Sequence, residues 1–164
     1  MAQTLVQTRP EIVSRIRNTP PDVTMHPNLR SDIEGREHIY IISEAHYSSA
    51  NVIPQASSGF RSCKALVLYD GIVGSLAHMW YDDDPAPYIR CMKRDLKRPQ
   101  IQAIAIASPD EIPDMEQALL DQNISIKSLI SLPDKPDKDI LFTPLEKEVK
   151  IYRRGEIPII EKFD

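Results

Sequence analysis

The eighteen residues KALVLYDGIVGSLAHMWY, positions 64–81, restrict the fold more than any other part of the chain. Two β-rich runs flank Asp70-Gly71, a dipeptide that readily supplies the positive backbone angles of a tight type I′ hairpin. Both faces of each run are largely apolar. Such a hairpin belongs inside a sheet, covered on two sides, rather than at a solvated edge. With Asp70-Gly71 as the whole loop, Cys63 stands directly opposite His78. The two side chains then leave the same sheet face with β-carbons about 4.5 to 5.5 Å apart.

Around the hairpin the pattern predicts alternating strands and helices. Ile39–Ile42 reads as a strand, and Ser43 to Ser58 as a polar connection with a short strand near Val52-Ile53. A helix entered through Asp84 and Pro85 carries Tyr88, Met92 and Leu96 on one stripe, and Pro99 closes it. IQAIAIA is a buried strand. A second helix, capped by Asp110 and carrying Pro113 in its first turn, runs to Asp121 with Met115 and Leu119 inward. Ser125–Leu132 is a strand, PDKPDKD an exposed loop, and ILFT and VKIYRR two strands joined around Pro144 to Glu148. The order implies an α/β fold, a layered sheet core with helices packed against it. Residues 1–38 read as an N-terminal extension or wrapping arm, with a short helix at Glu11–Arg17, and residues 39–164 as the domain proper.

Composition narrows the function classes. The 164 residues, 41% apolar, suit one domain with a small appendage. Twenty basic against 24 acidic residues give −4, which offers no general case for nucleic-acid binding. No run approaches the roughly 18 to 20 apolar residues of a membrane span. The N-terminus lacks an apolar signal core, so a cytoplasmic location is expected. No metal-binding motif of the CxxC or HExxH type and no nucleotide-binding glycine pattern occurs, so neither a metal nor an organic cofactor is expected.

The chemistry therefore rests on side chains. A histidine near a cysteine can take its proton, and the imidazolium can stabilise the thiolate. Backbone donors around Ser58, Gly59, Arg61 and Ser62, helped by a serine hydroxyl, would face an oxyanion or substrate, and Arg61 would lower the thiol pKa or hold an acidic group. The structural alternative is a cysteine buried as a small hydrophobe and a strand histidine satisfied by backbone. Cys91 reads as packing, His46 as a cleft or capping residue, and Asp82-Asp83-Asp84 as the helix entrance.

The stretch SSGFRSCKALVLYDGIVGSLAHMWY, with a glycine, Ser-Cys, an apolar strand, an Asp-containing turn and a Gly-x-x-x-His strand, resembles the CheD family of chemoreceptor glutamine deamidases. The resemblance implies a layered fold with a mainly antiparallel β core and flanking helices. It also implies Cys63 as nucleophile, His78 as general base, and Ser57 in place of the family's histidine-orienting threonine. Arg61 stands where the family usually has a second glycine, and the Cys-to-His interval is shorter here. The implied activity is thiol-dependent hydrolysis of a glutamine carboxamide on a protein partner, with release of ammonia. Ester hydrolysis and acyl transfer share the thioester intermediate, and a catalytically inactive interaction module on the same scaffold is the alternative of a different class.

Overall fold

The computed structural model describes residues 11–13, 25–36 and 38–164. Its elements are β1 (Glu11–Val13), α1 (Pro27–Ile33), β2 (Tyr40–Ile41), β3 (His46–Ser48), β4 (Gln55–Phe60), β5 (Lys64–Tyr69), β6 (Gly74–Met79), α2 (Pro85–Asp95), β7 (Gln102–Ala107), α3 (Ile112–Asp121), β8 (Ser125–Ser131), β9 (Lys138–Thr143), a 3₁₀ turn (Pro144–Glu146), β10 (Glu148–Arg153) and β11 (Ile159–Lys162). They form two mixed, mainly antiparallel sheets, ordered β1-β3-β6-β5-β7-β8 and β11-β10-β9-β4-β2. No helix among the described residues is long and apolar enough to cross a membrane.

Side-chain alternation stacks these pieces in layers. Val67 and Tyr69 of β5, Leu76 of β6 and Ile104 of β7 face Phe60, Ile140, Phe142 and Ile151 of the second sheet, closing an apolar core between the two. The opposite faces of β5 and β6, with Leu66, Leu68 and Met79, pack on Tyr88, Ile89 and Met92 of α2 and on Met115 and Leu119 of α3. On the far side, Leu29 and Ile33 of α1 pack on Ala56, Leu141 and Tyr152. The architecture is helix, sheet, sheet, helix. Although α1 lies before residue 39, it supplies one complete outer layer.

The hairpin sits in the middle of its sheet, between β7 and β3, as its two apolar faces require. Its loop is larger than Asp70-Gly71. Tyr69 pairs with Gly74 and Ala65 with His78, so residues 70–73 make the turn. The cause is the Asp70 side chain. Oδ1 accepts the amides of Ile72 and Val73, and Oδ2 those of Lys97 and Arg98 beyond α2. Burial works to raise the Asp70 pKa, but these four donors outweigh it and hold the carboxyl below its usual range. The register therefore differs by two residues from a two-residue hairpin. An even displacement leaves every side chain on its expected face.

Other local expectations change for equally specific reasons. Glu11–Val13 is a strand beside β3 rather than the start of a helix, in keeping with its β-branched pair Ile12 and Val13, and residues 14–17 lie outside the described part. Val52-Ile53 is a bend, and the polar 43–58 region instead holds β3 and all but the end of β4. Gln55 and Ser57 are buried there because hydrogen bonds satisfy them: Gln55 accepts from Ser48 and donates to the Gly74 carbonyl at 2.8 Å. Asp84 caps α2 by accepting the Ala86 amide at 3.0 Å. Asp110 does not cap α3, whose cap position is Glu111. The Asp110 carboxylate instead accepts the Tyr81 hydroxyl.

Candidate active site

Cys63, His78 and Ser57 meet at one end of the core between the sheets. The chain reaches this point by leaving one sheet and entering the other. Irregular pairing between Ser57 and Phe60, with Gly59 at φ 78°, bends β4. Residues 61–63 then cross over, and β5 begins at Lys64. Cys63 occupies the last position of this crossing, half-buried against the inter-sheet core. It precedes Ala65 by two residues, and Ala65 faces His78, so the thiol and the imidazole share a face on a diagonal rather than directly opposite.

The hydrogen bonds fix the state of His78. Ser57 Oγ lies 2.8 Å from His78 Nδ1 and 2.5 Å from the Ile42 carbonyl oxygen. A carbonyl only accepts, so the single hydroxyl proton of Ser57 goes to Ile42. Ser57 must then accept from His78, which places the ring proton on Nδ1. In a neutral imidazole the other nitrogen, Nε2, consequently carries a lone pair, and it has no hydrogen-bond partner among the described residues. The ring cannot drift from this pose. It is fully buried and stacked on Phe60 at a centroid distance of 3.6 Å and 18° between planes.

Glu44 completes the cluster, and nothing in its sequence neighbourhood announces it. A ring nitrogen of His78, the Cys63 sulfur and a Glu44 carboxylate oxygen all lie within 4.8 Å of one another. Glu44 sits in the tight connection before β3, where Ala45 adopts φ 61° and donates its amide to the His78 carbonyl at 2.8 Å. The half-exposed Trp80 donates from Nε1 to Glu44 Oε2 at 3.0 Å and forms the rim. His46 pairs across the strands with His78, and its Nδ1 lies 2.7 Å from the Glu44 carbonyl oxygen.

This surrounding charge reverses one sequence expectation. The Cys63 thiol is pushed up to about 11, by burial first and then by Glu44 and Asp83, against a smaller opposing pull from Lys138 and Lys64. Burial also drives His78 down to about 3. The resting pair is therefore a neutral thiol beside a neutral imidazole, not a thiolate–imidazolium pair. Arg61 is not the thiol's activator: its exposed guanidinium donates to Asp137 at 3.0 Å. The Gly59 amide is likewise committed, to Asp139 Oδ1 at 3.0 Å, and so is no oxyanion donor. Ser58 and Ser62 flank the bend partly exposed, and the Ser62 and Cys63 amides make no backbone hydrogen bond among the described residues.

The depressed His78 pKa has a consequence for stability. Between about pH 6.5 and 3 the unfolded chain binds a proton at this position and the folded chain does not. Stability contributed by the neutral ring is thus intact above pH 6.5 and falls as the medium is acidified through that window, at up to roughly 1.4 kcal/mol per pH unit. Urea unfolding of wild type at pH 7 and pH 4.5 should show the loss, and a matched decrease in His78→Phe would contradict its assignment to this ring.

Compared with models of protein families and with curated proteins, the chain gives no match.

Proposed function

We propose that the protein hydrolyses a carboxamide through a Cys63 thioester, with a glutamine side chain of another protein as the substrate class. The observation carrying this reading is the His78 tautomer. Ser57 accepts the hydrogen bond of Nδ1–H, and the unpartnered lone-pair nitrogen belongs to a ring clustered with the Cys63 thiol. The CheD-like Ser-Cys and Gly-x-x-x-His segments supply the choice of glutamine. They are a resemblance of short motifs.

The neutral resting pair dictates the order of events. Sγ attacks the amide carbon as its proton passes to His78 Nε2, so thiolate forms only when substrate is present. The amides of Ser62 and Cys63, which make no other backbone hydrogen bond among the described residues, would donate to the resulting oxyanion. His78 returns its proton to the leaving nitrogen, the C–N bond breaks, and ammonia departs from a Cys63 thioester. Water then gives a proton to His78, its oxygen attacks the thioester carbon, and the C–S bond breaks. His78 returns that proton to Sγ, so glutamate is formed and the neutral thiol and imidazole are restored. Charge developing on the imidazole is balanced by Glu44, whose carboxylate belongs to the same cluster.

Wild-type protein incubated with glutamine-bearing proteins and peptides should release ammonia in step with conversion of amide to acid, read by mass spectrometry. Cys63→Ala should release none, while Cys91→Ser should match wild type. Ammonia release that survives in Cys63→Ala would falsify the assignment. A wild-type Cys63 that no amide or activated ester ever acylates favours the inert interaction module instead, the reading that the raised thiol pKa supports.

A further inference from the structure

We propose that Cys63, His78 and Glu44 form a reversible binding site for a borderline-soft divalent cation of the Zn²⁺ class. The three residues offer one sulfur, one imidazole nitrogen and one carboxylate oxygen, all within 4.8 Å of one another. Zinc takes this donor set tetrahedrally at about 2.0 to 2.3 Å, which puts ligand atoms roughly 3.5 Å apart. The half-buried Cys63 and the exposed Glu44 would adjust to reach that spacing. The imidazole is already fixed.

A second observation points to a ligand independently of the cluster. His78 is completely buried, yet Nε2 has no partner among the described residues, an unfilled acceptor on the ring that belongs to this cluster. Its supports resemble those of a metal-bound histidine. The other nitrogen donates to an oriented hydroxyl, which fixes the tautomer that ligation needs, and Trp80 holds one Glu44 oxygen while leaving the second available. Three protein ligands leave a fourth position for water. Binding forms the S–metal bond and releases the thiol proton to solvent, one proton per ion. No sequence spacing reveals the site, because its ligands come from the β2–β3 connection, the β4–β5 crossing and β6.

An ion here and an acyl substrate need the same sulfur. That competition rests on the hydrolase reading above, whereas the metal site does not. The test uses Co²⁺ alone as the probe, added to the full chain carrying Cys91→Ser. One equivalent should bind with a near-ultraviolet thiolate-to-cobalt charge-transfer band and the intense visible bands of tetrahedral cobalt, and Zn²⁺ should displace it. A further Cys63→Ser change should remove the charge-transfer band, and Glu44→Gln should weaken binding roughly tenfold or more. A band that persists in Cys63→Ser, or its absence at millimolar Co²⁺, overturns the proposal. Ammonia release measured with a chelator present tests the hydrolase separately, so either reading can fail without the other.

Discussion

His78→Phe should fold nearly as well as wild type and lose hydrolysis by roughly a hundred- to ten-thousand-fold, the contribution expected of a positioned general base. The ring's packing role is separable from its proton chemistry. His78 is fully buried and stacked on Phe60, and a phenyl ring keeps the stack with one more ring atom to accommodate. Ser57 still donates to Ile42, so the substitution orphans no buried donor. It also deletes the buried group that titrates unfavourably in acid, so the variant should lose the extra sensitivity below pH 6.5. Ammonia release and paired urea curves at two pH values read both effects. Activity within a few-fold of wild type would remove His78 from the chemistry.

The largest structural effect is expected from Gly74→Ala. A β-carbon at this first residue of β6 would lie 2.4 Å from Cε2 and Cζ of Phe142 and 2.9 Å from the Leu68 carbonyl oxygen. Neither neighbour can yield cheaply. Phe142 is fully buried in edge-on contact with Tyr69 and Phe163, and Leu68 is strand backbone. Gly74 itself is held by reciprocal hydrogen bonds with Asn51 and by the Gln55 amide. Overpacking there should cost about 3 kcal/mol or more and loosen the contact between the sheets on which Ser57 and His78 depend. An unchanged urea midpoint would show that the two sheets separate more freely than this packing allows.

Much of this arrangement is legible in the sequence where local pattern and tertiary environment agree. The β5–β6 run is apolar on both faces because both faces are covered, by the second sheet and by α2 and α3. Cys63 and His78 share a face as expected because the register moves by an even number of residues. The four-residue loop is not legible, since it depends on Asp70 reaching the amides of Lys97 and Arg98 across the fold. β4 is hidden by its own polarity: Gln55, Ser57 and Ser58 read as a loop until the partners of the first two are known. Glu44 and the raised thiol pKa lie wholly beyond local pattern, because both arise from segments brought together only at the crossing between sheets. That Cys63 and His78 share a face is thus readable from spacing, whereas their protonation states are not.

The proposed chemistry depends on one nitrogen of one ring. Nitrogen-15 NMR of His78 in metal-free protein, followed from pH 8 to pH 4.5, reads it directly. The structure predicts a neutral imidazole throughout, protonated at Nδ1 and bare at Nε2, with no titration in that range. A proton on Nε2 at neutral pH, or an imidazolium appearing near pH 6.5, would contradict it.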